Sequence, residues 1–296
     1  MAAELHLHLE GSVEPDTMRL LAPELSFEEI RGRYRFENFA GFIQCFKWVV
    51  RQLHSPEDYA LITKHLLNRL ERQGIDYAEI TLSAGVILWR QLDFDAIWKA
   101  LRRAAEASPV EVRWNLDAIR QFGADHAMRV AEIASGYVSD GAISFGIGGD
   151  EKAGPAEIFA DVYAFARAQG LRLTAHAGET MGPASVWAAL EIGAERIGHG
   201  IRAVDDPELV KHMRNERIPL EVCMTSNVAT GAVSCLDGHP IRRLYDAGVP
   251  ITINTDDPAI FGTSLANEFE IARTRFGFTE SELAGIAENA YTYRFA

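Results

Sequence analysis

Histidines and carboxylates that can bind a metal or move a proton recur at the ends of short apolar runs in this sequence. In chain order they are His6, His8, His176, Glu179, His199, Asp256 and Asp257. Three histidines and one carboxylate form a donor set that suits Zn²⁺, and other divalent ions accept the same donors. A metal held in this way lowers the pKa of a bound water, so the set predicts hydrolysis.

The first histidine pair has the spacing of two side chains on one face of a β-strand. If the face that carries His6 and His8 points into a barrel, both imidazoles converge, while Leu5, Leu7 and Leu9 pack outward against helices. Such a pair also arises by chance, but a histidine and an aspartate at other run ends favour metal binding. Five further histidines are expected at the surface or at helix ends: His54, His65, His126, His212 and His239.

A hydrolytic metal site also needs groups that accept and donate protons. His199, on the run next to that of His176, is placed to take the proton of the water, and Glu179 is placed to donate one to the substrate. Taken alone, Glu179 is as typical of a solvated loop or a helix cap. Asp256 and Asp257 repel each other unless a cation or a proton separates them, and a turn would give similar letters. Metal binding by one and a substrate hydrogen bond from the other would resolve the repulsion.

Eight apolar runs must position these groups. They cover residues 4–9, 75–82, 110–118, 142–147, 171–176, 196–199, 218–222 and 249–254. Segments of helical periodicity lie between most of them, at 56–72, 94–107, 124–135, 155–169, 183–190, 207–215 and 241–247. The alternation predicts an α/β fold, a parallel (β/α)₈ TIM barrel with its chemistry at the C-terminal strand ends, and a doubly wound open sheet is the alternative.

The interval between the first two runs is far longer than an ordinary strand–helix connection. We therefore predict a single barrel domain over residues 1–296 in which residues 13–73 form a helical insertion. Part of this insertion is rich in aromatic side chains, namely Phe36, Phe39, Phe42, Phe46 and Trp48. A lid over the barrel mouth is favoured, and a structural insertion packed on the outside is the alternative.

The composition narrows the class of ligand and the compartment. A net charge of −13 argues against binding to a phosphate backbone, which needs a basic face. Cys45, Cys223 and Cys235 are widely spaced and form no CxxC motif, which is typical of reduced cytosolic proteins. No signal peptide and no membrane-spanning run is visible. We expect a cytoplasmic protein that binds a small molecule and that binds neither nucleic acid nor a membrane. Whether the chain forms a homo-oligomer is left open.

Six short motifs, in order along the chain, resemble those of the adenosine deaminase family. They are ELHLHLEGS at 4–12, GDE at 149–151, TAHAGE at 174–179, RIGHG at 196–200, Cys223 with Thr225-Ser-Asn227 and Thr230-Gly231, and NTDDP at 254–258. Each motif alone is modest, but the ordered set spans almost the whole chain. The chain is thus identified as a member of this family, within the amidohydrolase superfamily of metal-dependent hydrolase barrels.

The resemblance implies a role for each matching residue. The implied ligands of one zinc ion per chain are His6, His8, His176 and Asp256. His199 would take the proton of the attacking water and Glu179 would protonate purine N1. Asp257 would hydrogen-bond N7, the backbone of Gly149 would approach N3, and Glu10 would face the ribose or its 5′ substituent. The implied reaction is hydrolytic removal of the 6-amino group of an adenine nucleoside.

Departures from the family pattern leave the substrate open. Adenosine deaminases usually have an Asp where this chain has Gly146, and their second strand differs at Thr81 and Ala84. Residues 80–86 look more like the deaminases of 6-amino-6-deoxyfutalosine in menaquinone biosynthesis, so that nucleoside is slightly favoured over adenosine. Adenine deaminase is a further alternative.

Other classes of function are also weighed. Two-metal relatives in the superfamily carry a carboxylated Lys at the end of the fourth strand, and residues 143–149 contain none, which favours a single metal. Another mononuclear zinc amidohydrolase, such as a lactonase or an amidase, is an alternative. A non-catalytic nucleoside-binding barrel is disfavoured because every implied ligand and catalytic group is present.

Overall fold

Eight parallel strands, paired in chain order, form the sheet of the computed structural model, which describes residues 2–295. The strands are β1 (Ala2–His8), β2 (Ile75–Leu82), β3 (Glu111–Ile119), β4 (Ala142–Gly148), β5 (Arg172–Ala177), β6 (Arg196–His199), β7 (Leu220–Val222) and β8 (Ile251–Ile253). Helices follow each strand, so the (β/α)₈ barrel predicted from the sequence is confirmed and the doubly wound sheet is excluded.

Fifteen helices occur within residues 2–295. The first eight are α1 (Pro15–Leu21), α2 (Phe27–Arg33), α3 (Phe39–Arg51), α4 (Pro56–Arg72), α5 (Ala84–Trp89), α6 (Phe94–Glu106), α7 (Ala124–Ser135) and α8 (Ala160–Ala168). The others are α9 (Pro183–Glu191), α10 (Pro207–Glu216), α11 (Met224–Ala229), α12 (Ile241–Asp246), α13 (Pro258–Phe261), α14 (Leu265–Phe276) and α15 (Glu280–Thr292). None of them is long and apolar enough to cross a membrane.

The barrel closes between β8 and β1 through a side chain as well as through backbone. The Asn254 Oδ1 accepts hydrogen bonds from the backbone N–H groups of Leu5 and His6, at 3.0 and 3.2 Å. Beyond it, the N–H of His8 donates to the carbonyl of Asp256 at 2.8 Å. These bonds place the end of β8 beside the two histidines of β1.

Outward-facing apolar side chains of the strands pack under the surrounding helices. Leu7 and Leu9 belong to the main core, as does Trp114 of β3, which meets Trp98 of α6 edge-on. Their burial removes apolar surface from water, which is the dominant stabilising contribution to such a core. The alternation along β1 therefore sends its leucines into the core and its histidines into the barrel, as predicted.

Most sequence-based element bounds agree with the structure to within two residues. The helix predicted at 155–169 is divided into a 3₁₀ turn at Ala156–Phe159 and α8. Short helices α5, α11 and α13 were not predicted because four to six residues show too little periodicity, and α14 and α15 were not assigned. Residues 13–73 contain α1 to α4, and α3 reaches the C-terminal end of the barrel.

Candidate metal and active site

The C-terminal ends of β1, β5 and β6 and the turn after β8 bring the predicted site residues together. Ligand atoms of His6, His176, His199 and Asp256 all lie within 4.8 Å of one another. The Nε2 of His8 lies 3.1 Å from the Nε2 of His176 and 3.3 Å from the Oδ1 of Asp256. Five side chains therefore converge on one point inside the barrel.

Two of these residues have a backbone conformation that non-glycine residues rarely adopt. His199 has φ +63° and Asp256 has φ +64°. A conformation of this kind costs about 1–3 kcal/mol and persists where the surrounding structure holds it. Both residues lie at strand ends and face the same point. The backbone strain at the two positions therefore indicates that the structure holds these side chains in a required direction.

Hydrogen bonds behind the rings direct the Nε2 atoms of two histidines inward. The Nδ1 of His6 lies 2.8 Å from the Oε2 of Glu221, and the Nδ1 of His176 lies 3.2 Å from the carbonyl of Ile147. With the proton on Nδ1, each Nε2 presents a lone pair, which is the arrangement of metal-binding imidazoles. The buried Nε2 of His6 has no hydrogen-bond partner within residues 2–295. A cation at the shared point would complete it, so the residues fit a metal.

The charges at this point also favour a cation. Burial lowers the pKa of His8 to about 4. Burial also acts to lower the pKa of His6, but Asp256 and Glu221 overcome it and raise that pKa to about 10. Burial acts to raise the pKa of Asp256, yet the facing histidines hold it well below its usual value. The carboxylates thus favour positive charge at this point, while the ring of His8 resists protonation, and a metal ion would supply the charge.

His199 differs from the other histidines because a chain of hydrogen bonds through His239 and Asn227, called the relay below, fixes its proton on Nε2, the ring nitrogen that faces the site. The N–H of Ile241 donates to the Nδ1 of His239, so the Nε2–H of His239 donates to the Oδ1 of Asn227. The amide N–H of Asn227 then donates to the Nδ1 of His199 at 3.1 Å. Burial lowers the pKa of His239 to about 3, which keeps the relay neutral. Neutral His199 therefore presents an Nε2–H donor to the site rather than a lone pair.

Glu179 lies beside this donor on a loop that Glu151 holds. The Oε2 of Glu179 is 3.8 Å from the Nε2 of His199, and its Oε1 accepts a hydrogen bond from Thr230. Burial raises the pKa of Glu179, which favours the protonated acid. The Glu151 carboxylate accepts hydrogen bonds from the backbone N–H groups of residues 178–181 and from the hydroxyl of Ser185. Glu151 thereby fixes the direction of Glu179.

Asp257 and Gly149 lie on the walls of the same cavity. Burial and the charge of Asp256 raise the pKa of Asp257 well above its usual value, which favours the protonated form of this carboxyl. Its buried Oδ1 has no partner within residues 2–295. Gly149 has φ +93°, and a Cβ there would lie 2.4 Å from the Oε1 of Gln121. Only glycine therefore fits at this wall.

Glu10 is the predicted site residue that the structure does not place on the cavity wall. It is fully buried, and its Oε1 accepts a hydrogen bond from the N–H of Ser83 at 3.1 Å. Its Oε2 is buried without a partner within residues 2–295. Ser83 lines the cavity in front of it.

The cavity has a volume of about 340 Å³ and extends from the histidines to an apolar mouth. Phe39, Phe42 and Phe46 of α3 form one wall, and Trp89 and Phe122 stack on each other at 5.7 Å on the opposite side. The floor is polar and the mouth aromatic. The arrangement suits a flat, polar ring bound at the floor with an apolar extension above it.

Comparison with known proteins decides the family. A family model described as adenosine deaminase matches residues 2–296. The chain belongs to the adenosine deaminase family. It is 40% identical to an aminodeoxyfutalosine deaminase of Streptomyces avermitilis, over 99% of this chain and 86% of that protein. It is 36% identical to an adenine deaminase of Rhizobium leguminosarum bv. trifolii, over 99% of this chain and 94% of that protein.

Solved structures of the family share the fold. An adenine deaminase from Arthrobacter aurescens has a TM-score of 0.92 at 29% identity, and the match covers all of this chain and 94% of that one. An amidohydrolase from Burkholderia ambifaria, solved with bound Zn, has a TM-score of 0.92 at 27% identity over all of this chain and 85% of its own. As an adenosine deaminase family member, the chain is a hydrolase that acts on C–N bonds.

Sequence reasoning misplaced one residue of this family site and missed others. His239 was expected at the surface, and this is wrong: it is buried because Asn227 and the N–H of Ile241 satisfy both ring nitrogens. His54 and His65 are exposed, as expected. Glu221 and Asp117 were also not singled out, because each lies inside a strand and carries no spacing signal of its own.

Proposed function

We propose that this chain removes the 6-amino group from an adenine nucleoside by hydrolysis, with one zinc ion in the site. The observation that carries the proposal is the cavity. Its floor combines a cation-demanding histidine group with two carboxyls of raised pKa, Glu179 and Asp257. Its mouth continues into an aromatic space that a bare purine would leave unfilled.

His6, His8, His176 and Asp256 would hold the zinc. His199 is as close to the shared point as they are, but its inward nitrogen carries a proton and therefore offers no lone pair. When bound, zinc lowers the pKa of a water and so makes it a nucleophile near neutral pH. The hydroxyl of Ser226 donates to the Oδ2 of Asp256 at 2.6 Å and leaves Oδ1 toward His6 and His8.

Glu179 carries the proton transfers in this proposal. As a protonated acid it donates to purine N1, which makes C6 electrophilic. The resulting carboxylate accepts one proton of the attacking water and delivers it to the amino group, which leaves as ammonia. It then accepts the second proton of that water, which restores the acid and leaves a 6-oxo product. His199 donates a hydrogen bond from Nε2 to the oxygen that adds at C6 and stabilises the charge that develops there. The relay favours this role over the proton acceptance expected from the sequence.

Asp257 and Gly149 orient the purine. The protonated carboxyl of Asp257 would donate a hydrogen bond to N7. This bond would give the carboxyl the partner that its buried Oδ1 lacks within residues 2–295. The backbone at Gly149 would approach N3, since glycine has no side chain of its own to stand between them. Glu10, behind Ser83, would reach the ribose end only through a shift of that segment.

The 5′ side of the nucleoside would occupy the aromatic mouth. Residues 13–73 would then act as a lid on a single barrel domain of residues 1–296, with α3 as the closing wall. A 5′ extension bulkier than a hydroxyl would fill the space beside Phe39, Phe46 and Trp89, which supports 6-amino-6-deoxyfutalosine over adenosine. The similarity to the Streptomyces avermitilis protein supports the same choice.

The test is a competition of substrates with the zinc-loaded enzyme, followed as loss of adenine absorbance and release of ammonia. We expect kcat/KM to be highest for 6-amino-6-deoxyfutalosine, lower for adenosine and lowest for adenine. The second candidate is adenine deaminase, which the similarity to the Rhizobium and Arthrobacter proteins favours. A higher kcat/KM for adenine than for either nucleoside would establish that candidate, and no turnover of any of the three would refute deamination of adenine compounds.

A further inference from the structure

Asp117 of β3 is a buried carboxylate that faces the cavity and has no role in the mechanism above. Only 2% of its surface is exposed, and it lines the cavity close to His176 and Gly148. Its Oδ1 is buried and has no hydrogen-bond partner within residues 2–295. A buried polar oxygen without a hydrogen-bond donor is costly, so the surrounding protein does not explain why an acid stands there.

The neighbouring strand is shaped to leave room for this carboxylate. Asp117 pairs in register with Gly146 of β4. A Cβ at Gly146 would lie 3.1 Å from the Asp117 Oδ1, and a Cβ at Gly148 would lie 2.5 Å from its Oδ2. Two glycines of β4 thus allow an acid of β3 to occupy the space in front of them.

The position of Asp117 relative to the proposed purine decides what it can bind. The zinc ligands, His199 and Glu179 define the end of the cavity where C6 and N1 react. N3 lies across the six-membered ring from C6, and we place it at the Gly148–Gly149 wall. On a purine, the carbon between N3 and N9 joins the two, so a group beside the N3 edge is also beside the sugar at N9. The nearest hydrogen-bond donor of a nucleoside there is the ribose 2′-hydroxyl.

We propose that Asp117 accepts a hydrogen bond from the ribose 2′-hydroxyl and thereby selects ribonucleosides over 2′-deoxynucleosides and over free adenine. This inference rests on the proposed function, because it requires a nucleoside in the cavity. A site built around a buried acceptor rejects analogues that lack the donor, because the acceptor is then left buried and unpaired. Asp117 would be a substrate-binding residue and would take no part in proton transfer.

The test measures kcat/KM for adenosine, 2′-deoxyadenosine and adenine with the zinc-loaded wild type, Asp117→Asn, Asp117→Ala and the exposed control Asp161→Asn. We expect the wild type to prefer adenosine over 2′-deoxyadenosine by about 3- to 10-fold, the range of a single hydrogen bond between uncharged groups. Asp117→Ala should remove most of this preference by raising KM for adenosine, with little change for 2′-deoxyadenosine. Asp117→Asn keeps the shape and should lie between. Asp161→Asn should match the wild type.

Two results would overturn the assignment. An equal loss on adenosine and 2′-deoxyadenosine would mean that Asp117 acts on the base or on the reaction, and a lower zinc content in both variants would mean that it positions His176. Failure of the proposed function is distinguishable, since it appears in the wild type as turnover of adenine without turnover of either nucleoside. That result would remove the ribose, and the role of Asp117 with it.

Discussion

Toward the N-terminal end of the barrel, the buried polar groups are paired with one another, whereas at the C-terminal end several are not. Arg196 is buried between Glu79 and Glu221 and donates to both. The N–H of Phe295 donates to Glu79 at 2.6 Å and the carbonyl of Tyr293 accepts from Arg196 at 2.9 Å. At the other end, buried atoms without partners within residues 2–295 include the Nε2 of His6 and the Oδ1 atoms of Asp117 and Asp257.

The contrast separates polar groups that serve the fold from those that serve a ligand. A buried charge is tolerated when partners surround it, as at Arg196, and the ion pairs then fix one arrangement of the strands. Groups left without partners retain the capacity to bind something that the chain itself does not supply. Glu221 belongs to both ends: its Oε1 accepts from Arg196 at 2.6 Å and its Oε2 lies 2.8 Å from His6.

The largest expected effect follows from replacing Glu179, the proposed proton donor at the C-terminal end of the barrel. Glu179→Gln should lower kcat about 10²–10⁴-fold, because an amide cannot donate a proton to N1 or carry one to the amino group. The free energy of unfolding should stay the same or rise, since the buried acid is replaced by a neutral group of the same shape. Steady-state kinetics and zinc analysis of the same sample measure both. Near-wild-type turnover with full zinc would refute the role of Glu179.

The pH dependence of the wild type sharpens this assignment. Burial raises the pKa of Glu179, and the reaction needs its protonated form, so kcat/KM should fall as the pH rises through that raised pKa. The fall should approach tenfold per pH unit on the alkaline side. Glu179→Gln should lack this alkaline fall in its residual activity. An unchanged alkaline limb in the variant would assign the titration to another group.

A substitution toward the N-terminal end of the barrel, where the buried polar groups are paired, should change the free energy of unfolding rather than the activity. Arg196→Met removes the only cation that contacts both Glu79 and Glu221 within residues 2–295, and leaves two carboxylates buried. Breaking a buried pair in this way typically costs about 3–5 kcal/mol. Denaturant unfolding measures the loss, with the exposed Arg273→Met as the control, which should change little. Equal unfolding free energies for the two variants would contradict the comparison between the barrel ends.

The two ends of the barrel differ in how well their residues could be predicted from the sequence. The residues of the proposed metal site lie at strand ends, where histidines follow runs of apolar residues. For this reason His6, His8, His176 and Asp256 could be named from the sequence. Arg196 and Glu79 lie on strands that also carry other polar residues, so nothing local marks them as a pair, and their pairing across several strands depends on barrel closure. Asp117 depends in addition on the space left by two glycines of another strand. Contacts that the tertiary structure creates between distant strands have no local sequence signal.

Glu221 allows the two ends to be tested within one pair of variants. Glu221→Gln and Glu79→Gln each weaken a contact with Arg196, but only Glu221 contacts a proposed zinc ligand. Both should lower the free energy of unfolding of the zinc-free protein. Glu221→Gln should in addition weaken zinc binding about 10- to 100-fold, the usual effect of losing the group behind a ligating histidine. Competition with a chelator measures the zinc affinity, and equal affinities would refute the link through Glu221.

The smallest expected effect lies at the surface, where a paired carboxylate is not desolvated. Glu282 of α15 accepts two hydrogen bonds from Arg242 of α12, and this contact lowers the pKa of Glu282 to about 2. A carboxyl whose folded pKa is depressed stabilises the fold above its unfolded pKa near 4.5, and the contribution is lost as the pH falls toward 2. Glu282→Gln should therefore show a slightly shallower loss of unfolding free energy between pH 5 and pH 2 than the wild type. Solvent screens this exposed pair, so the difference should be far below that of Arg196→Met, and a comparable effect would mean that burial is not what separates the two kinds of ion pair.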